Sequence, residues 1–395
     1  MKSVKKILAL VLATLMIAAC FAACGGKEEP QGSAGGEIVI GVQGPLTGGA
    51  AQYGIAVKQA AELAANEINA AGGINGIKLK VIAEDDQATP GDLAKNAYNS
   101  LLDKGMQVFL GTVTTGAGLD VVPLTAEDNV FQLTPSASGD AIIEAGDNCF
   151  QICFTDSNQG SRSAQYIAEN NVAKKIGVIY DSSDAYSSGI YNNFKAEAAK
   201  RGLEIVAEQA FTASTKTDLS TQVQACKSAG AELVFLPIYY TEASIVLSSA
   251  NAIGYTPKFF GCDGLDGILS IEGFDTKLAE GVMLLTPFAA DKQDDATQAF
   301  VSAYKAAYNN EIPNQFAADA YDGVKLIAKL IEEKNITADM SASEICDILK
   351  AAICADGFEF VGLTGAGAPM TWDASGAVSK DPAAVIIQNG AYVSL

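Results

Sequence analysis

Short apolar strands alternate with amphipathic helices along most of this chain, and this alternation restricts the fold more than any other feature. The segment EIVIGVQGPLTG (37–48) is typical of a strand and turn, and residues 51–73 then carry apolar side chains at helical spacing up to a Gly-Gly pair. The strands IKLKVIAEDD, MQVFLG and VFQLTP come next, separated by further helical segments. This order predicts a parallel sheet with helices on both faces.

The same order of elements begins again near Gln159 and runs to the strand KFFGCDG (258–264). A chain of 395 residues with 49% hydrophobic residues is long enough to form two cores. A last pair of strands is predicted in AVIIQNGAYVSL, turned by Asn389-Gly390. We therefore expect an α/β protein of two doubly wound parallel-sheet lobes. Its ligand cleft should lie where the carboxyl ends of the two sets of strands face each other.

Residues 1–23 have the pattern of a signal peptide, with early lysines followed by an uncharged stretch. The FAAC sequence that ends at Cys24 resembles a bacterial lipobox, so Cys24 is the expected lipidation site and Cys20 the alternative. An ordinary cleaved signal and an uncleaved anchor are the competing interpretations. Residues 24–37, rich in glycine and polar residues, are expected to form a flexible tether. We therefore expect a lipoprotein whose globular body lies outside the cell membrane.

Composition excludes several kinds of site. The chain has no histidine, which rules out a Ser-His-Asp triad, a Cys-His pair and any zinc site with imidazole ligands. Its 26 basic side chains against 46 acidic ones argue against a nucleic-acid partner. The six cysteines beyond Cys24 have spacings that predict free thiols. The run Glu84-Asp85-Asp86 is interpreted as a solvated strand end. Neither a metal nor a cofactor is expected.

The loops after the predicted strands are rich in glycine, hydroxyl groups and tyrosine but contain no lysine or arginine. They are GPLTGGAAQYG, EDDQATP, GTVTTGAG and TPSASGD in the first half, and DSSDAYSSG, PIYYTEA and CDGLDG in the second. A phosphate site would normally show a GxxxxGK[ST] loop or a basic clamp. Neutral donors at a helix N-terminus instead suit a single negative charge such as a carboxylate, and tyrosine walls suit an apolar or amphipathic body.

The segments GPLTGGAAQYG, NEINAAGGINGIKLKV, TPSAS, FTDSNQG, YDSSDAYSSG and PIYYTEA, in this order, resemble the leucine/isoleucine/valine-binding proteins. These are the extracytoplasmic receptors of branched-chain amino-acid ABC importers, and the resemblance covers the chain from Ile38 onward. It implies a type I periplasmic-binding-protein fold with three crossovers and hinge closure on the ligand. Lobe one would comprise 38–155 plus 286–380, and lobe two 156–285 plus 381–395. The implied function is capture of a free amino acid, branched-chain or similarly small, for the permease and ATPase subunits of an importer.

The resemblance also assigns roles to individual positions. Thr115 and Ser138 would bind the ligand carboxylate. Asp263 and the backbone carbonyl of Ser136 would receive the ammonium, and four aromatic residues would form walls. The complete expected set of ligand-binding residues is Tyr53, Val113, Thr114, Thr115, Ser136, Ala137, Ser138, Tyr186, Tyr239, Asp263, Gly264 and Phe316.

Three positions depart from the family pattern. Thr114 stands where a wall cysteine is common, Ser136 stands where alanine is usual, and an extra residue precedes Tyr186. A more hydroxylated pocket leaves the aliphatic ligand open, and the alternative function is a sensor or binder of a small amide or aromatic carboxylate. Simpler roles also exist: Thr115 and Ser138 as helix caps, and Asp263 as a turn acid. An enzyme is disfavoured, because these loops offer no activated nucleophile with a basic partner.

Overall fold

Five parallel strands form the first sheet of the computed structural model, which describes residues 35–395 of the chain. Cys20, Cys24 and the expected signal peptide lie outside the described residues. The sheet order is β2-β1-β3-β4-β5, with buried apolar residues on β1, β3 and β4. The strands are β1 (Glu37–Gly44), β2 (Lys78–Asp85), β3 (Val108–Gly111), β4 (Gln132–Thr134) and β5 (Cys149–Gln151).

The second sheet has seven strands in the order β12-β11-β10-β9-β8-β6-β7. Five of them are parallel, and the last two form an antiparallel hairpin at one edge. Asn389 and Gly390 turn this hairpin with positive φ angles of 52° and 72°, as the Asn-Gly pair predicts. The strands are β6 (Lys175–Asp181), β7 (Glu204–Phe211), β8 (Leu233–Leu236), β9 (Lys258–Gly261), β10 (Met283–Thr286), β11 (Ala383–Gln388) and β12 (Ala391–Ser394).

Helices connect the strands, as the alternating pattern predicts. A short helix, α4, follows β4, and the long helix α10 begins at Gln315. The helices are α1 (Ala51–Ala70), α2 (Asp92–Asp103), α3 (Thr115–Glu127), α4 (Asp140–Glu144), α5 (Asp156–Glu169), α6 (Ala185–Arg201), α7 (Ser220–Ser228), α8 (Tyr240–Ala252), α9 (Asp295–Ala307), α10 (Gln315–Glu333) and α11 (Ala342–Ile353).

The chain passes between the two sheets three times: after β5, after β10 and before β11. After β10 it returns to the first sheet, where α10 packs along α1. The largest cluster of buried apolar side chains includes residues from both sheets, so the lobes share one continuous apolar core. Two α/β lobes with parallel strands are therefore confirmed.

A buried ion pair connects the crossing that precedes β11 to helix α10. Lys380, just before β11, places its Nζ 2.6 Å from Asp319 Oδ1 on α10 and 3.0 Å from Thr364 Oγ1. The same Nζ lies 5.3 Å from the ring centroid of Phe154, in the crossing that follows β5. The Lys380 and Asp319 side chains are only 1% and 3% exposed. Each charge therefore depends on the other for compensation.

Two further features concern groups singled out in the sequence. Asp86 is fully buried and accepts a hydrogen bond from Gln43 Nε2 at 3.2 Å, so its interpretation as part of a solvated strand end is wrong. The six cysteines between Cys149 and Cys354 are free thiols, as expected. Within residues 35–395, the helices are all too short or too polar to span a bilayer.

Replacing Lys380 with methionine should lower the free energy of unfolding by about 3–5 kcal/mol, because it leaves the Asp319 carboxylate buried without a partner. The matched control is Lys350→Met, which breaks a pair with the exposed Asp147 and should cost at most about 1 kcal/mol. Urea unfolding of both variants measures the difference. The double variant Lys380→Met/Asp319→Leu should recover most of the loss. Equal costs for the two single variants would contradict a charged pair.

Candidate ligand-binding site

A small cavity of about 10 Å³ lies between the carboxyl ends of the two sets of parallel strands. Ten of the twelve expected binding residues line it: Tyr53, Val113, Thr114, Thr115, Ser136, Tyr186, Tyr239, Asp263, Gly264 and Phe316. The other two, Ala137 and Ser138, are fully buried beside Ser136. Loops far apart in the sequence thus converge on one point between the lobes.

The N-terminus of α3 forms one wall of this cavity. Thr114 is the N-cap residue, with extended backbone angles, and Thr115 is the first residue of the helix. Thr115 Oγ1 accepts a hydrogen bond from the Gly139 N–H at 3.1 Å, which leaves its own O–H free to donate. Helix N-termini present backbone N–H groups and a favourable dipole to anions. This wall is suited to a negative group.

The loop after β4 continues the same wall. Ser136 lines the cavity, and its N–H donates to Thr134 Oγ1 at 3.3 Å. The Ser138 hydroxyl instead donates to Asp156 Oδ1 at 2.7 Å and lies outside the lining. In this conformation Ser138 therefore connects the end of β4 to the N-terminus of α5. Its expected contact with a ligand stays a prediction.

Asp263 faces α3 from the second lobe. Tyr186 Oη donates to Asp263 Oδ1 at 2.6 Å and accepts from the Gly264 N–H at 2.9 Å. Burial raises the pKa of Asp263 to about 6, and the hydrogen bond from Tyr186 offsets part of this rise. A Cβ on Gly264 would lie 2.5 Å from Tyr186 Oη, so glycine is required for this close approach. The acid is thus held rigidly and is mostly ionised at neutral pH.

Aromatic rings close the remaining sides of the cavity. Tyr186 and Tyr239 stack at 5.0 Å between centroids, and Tyr53 lies 4.6 Å from Phe316. Tyr53 is brought into place by Gly54, where a Cβ would lie 2.1 Å from the Pro45 carbonyl oxygen. Burial raises the pKa of the three tyrosines well above the usual value. They are therefore neutral donors and apolar surfaces rather than phenolate nucleophiles.

Several direct hydrogen bonds cross between the lobes around the cavity. Tyr53 Oη donates to the Gly264 carbonyl at 2.6 Å and accepts from the Tyr240 N–H at 3.3 Å. Thr241 Oγ1 donates to the Gly49 carbonyl at 2.7 Å. The lobes are thus closed against each other. A volume of about 10 Å³ holds about one water molecule, so a larger ligand requires the lobes to separate or the walls to move.

Sequence reasoning missed three residues that shape this site. Tyr240 bonds to Tyr53, Asp156 bonds to Ser138, and Gln159 Oε1 accepts from the Asp263 N–H at 3.2 Å. The segments PIYYTEA and FTDSNQG, which contain all three, were recognised as informative. No individual role was assigned within them, because the partners lie on distant loops.

A larger cavity of about 670 Å³ flanks the first one, between α1, α9 and the β11–β12 hairpin. None of the twelve expected residues lines it. Asp266 and Gln315 lie on its wall, and the Gln315 N–H donates to Asp266 Oδ2 at 3.1 Å. Because the expected residues line the smaller cavity and not the larger one, the smaller cavity is the candidate site.

Across residues 35–395, no group of three or more Cys, Asp or Glu side chains is arranged to hold a metal ion.

Comparisons with known proteins identify the family to which this chain is similar. The profile of the family described as periplasmic binding protein matches residues 37–361. Leu/Ile/Val-binding protein homolog 3 of Brucella melitensis is 34% identical over 78% of this chain and 82% of its own length.

Solved structures share the same fold. The substrate-binding protein LivJ of a Streptococcus pneumoniae branched-chain amino acid transporter, solved with isoleucine, superposes with a TM-score of 0.80 at 28% identity. The match covers 91% of this chain and 98% of that one. A solute-binding protein of an R. palustris ABC transporter, solved with benzoate, has a TM-score of 0.79 at 19% identity, over 91% of this chain and 95% of its own. Taken with the profile match, these likenesses show that the chain belongs to the family of periplasmic binding proteins that includes the Leu/Ile/Val-binding proteins.

Proposed function

We propose that this protein captures a free amino acid, branched-chain or of similar size, between its two lobes and delivers it to an ABC permease. The observation that carries the proposal is the pairing of opposite walls: neutral donors at the N-terminus of α3 face the buried carboxyl group of Asp263 across the cavity. A free amino acid carries one charge of each sign on the same carbon atom. This arrangement suits such a zwitterion.

The Thr115 hydroxyl and the backbone amides around Thr115 and Ser138 would bind the ligand carboxylate. Single charges are held well by neutral donors at a helix N-terminus, where the dipole adds roughly 0.3–1 kcal/mol. The Asp263 carboxylate and the Ser136 carbonyl would receive the ammonium. The rings of Tyr53, Tyr239 and Phe316 would enclose the body of the ligand. The same residues argue for binding rather than catalysis, since the lining has no activated nucleophile.

The cellular setting rests on the N-terminal sequence and on the family. Periplasmic binding proteins are extracytoplasmic, and a lipidated Cys24, or Cys20, would anchor this one to the outer face of the cell membrane. The partners in that setting would be the permease and ATPase subunits of the importer.

A second candidate function is the binding of an aromatic carboxylate. Four aromatic rings line the cavity, and the R. palustris protein with this fold was solved with benzoate. Such a ligand would use the α3 wall in the same way but would carry no ammonium for Asp263. A thermal-shift screen of the twenty amino acids and small aromatic acids separates the two, because a ligand that binds only the folded state raises the melting temperature.

Free amino acids should bind at least about 2 kcal/mol more tightly than their amides, because an amide leaves buried donors unpaired at the α3 wall. Thr115→Val should shrink this difference, whereas Thr115→Ser, which keeps the hydroxyl, should preserve it. Calorimetry on the acid and amide pair gives both values. The quantity to compare is the ratio of the affinity for the acid to the affinity for the amide. Thr115→Val also removes the acceptor of the Gly139 N–H and so weakens the binding of both ligands. Equal affinity for acid and amide would exclude a buried carboxylate.

Amino-acid affinity should fall about tenfold between pH 7 and pH 5, because protonation of Asp263, with its pKa of about 6, removes the charge that faces the ammonium. Asp263→Asn should abolish this pH dependence and weaken binding at pH 7 by about 2–5 kcal/mol. Asp266 also has a pKa raised to about 6, so the Asp263 variant is needed to assign the effect.

The matched control for this experiment is Asp86→Asn. Burial raises the pKa of Asp86 to about 6 as well, but Asp86 does not line the cavity, so this variant should keep the wild-type pH profile. Amino-acid affinity that does not change with pH in the wild type would contradict the pairing of the ammonium with an ionised Asp263.

The lobes should open and close around the three crossings. Small-angle scattering at saturating ligand should give a smaller radius of gyration than scattering without ligand. Thr241→Val, which removes the Thr241–Gly49 hydrogen bond, should increase the radius of the free protein. An identical profile for all samples would contradict hinge motion.

A further inference from the structure

Thr114, which lines the candidate site, carries an unpaired hydroxyl. It is the N-cap residue of α3, where a threonine side chain normally accepts a hydrogen bond from an N–H in the first turn. This cap is not formed, and Thr114 Oγ1 has no hydrogen-bond partner anywhere in the described part of the chain. The residue is 4% exposed and lines the cavity. A buried hydroxyl without a partner is unfavourable, so this position calls for an explanation.

The location of Thr114 sets it apart from the other buried unpaired side-chain atoms. Within residues 35–395 these belong to Gln43, Gln151, Asn158, Gln159 and Gln222, and none of these residues lines the cavity. Among these atoms, Thr114 Oγ1 is the one that belongs to a residue lining the cavity.

The two charged groups of an amino acid already have counterparts nearby. Thr115 and the backbone amides at the start of α3 suit the carboxylate, and Asp263 suits the ammonium. The neighbouring Thr115 hydroxyl is oriented by its bond to Gly139, and Asp263 by its bond to Tyr186. Thr114 has no such assignment, and its hydroxyl both donates and accepts. A third polar group on the ligand would satisfy it.

We propose, on the basis of the amino-acid binding argued above, that Thr114 determines specificity by hydrogen-bonding a polar group on the ligand side chain. The preferred ligands are then small amino acids that carry a side-chain hydroxyl. Their purely aliphatic isosteres would leave Thr114 Oγ1 unpaired in the closed complex. A site built to hydrogen-bond a ligand group discriminates strongly against an analogue that lacks it.

L-Threonine and L-valine test this directly, because they have nearly the same shape and differ by a hydroxyl in place of a methyl group. We expect the full mature chain to bind threonine at least about tenfold more tightly than valine in calorimetry. Thr114→Val should remove this preference, and Thr114→Ser, which keeps the hydroxyl, should retain it. The unfolding midpoint of Thr114→Val should be no lower than that of the wild type, since the deleted hydroxyl bonds to nothing in the protein.

The outcomes separate this inference from the proposed function. Valine bound as tightly as threonine by the wild type, or a preference that survives Thr114→Val, overturns the role of Thr114 but leaves amino-acid binding intact. An equal loss of affinity for both ligands in Thr114→Val assigns the hydroxyl to the carboxylate and also overturns the inference. If the wild type binds aromatic carboxylates and none of the twenty amino acids, both proposals fail.

Discussion

The candidate site depends on one topological constraint: all parallel strands of a sheet end at the same edge. In each lobe the loops after the strands therefore collect at that edge, and three crossings of the chain bring the two edges face to face. Tyr53 of the first lobe and Tyr239 of the second meet there with ring centroids 5.6 Å apart. The buried pair of Lys380 and Asp319 ties the crossing before β11 to α10. Recognition is thus assembled by the sheets rather than by any single motif.

Among the residues that line the cavity, Asp263 is the one with a charged side chain. One wall offers dipoles and hydroxyl groups without a cation, and the other offers one carboxyl group whose ionised form is supported by Tyr186. Removal of Asp263 from water raises its pKa to about 6. A ligand of net zero charge with separated ends would compensate both walls without adding a net charge to the interior.

Much of the site was accessible from the sequence, because loop composition and the order of motifs depend on local chemistry. The absence of lysine and arginine from the loops could be read directly, and the positions of Thr115, Tyr186 and Asp263 were implied by the resemblance to the Leu/Ile/Val-binding proteins. What sequence reasoning missed was pairing across space. Asp86 is an acid at a strand end, yet it is fully buried against Gln43. Ser138 is a loop hydroxyl, yet it is bonded to Asp156. Such partners are set by tertiary packing, for which a single sequence carries no local signal.

The hydrogen bonds that close the lobes directly on each other have a consequence for evolution. The closed form has room for about one water molecule, so a ligand can enter only the open form. The apparent dissociation constant therefore rises as the fraction of protein in the open form falls. Thr241 and Gly49 form one of the hydrogen bonds that stabilise the closed form, and neither residue lines the cavity. Affinity can therefore be retuned to a scarce or an abundant nutrient by substitutions at such positions, while the chemistry that chooses the ligand stays unchanged.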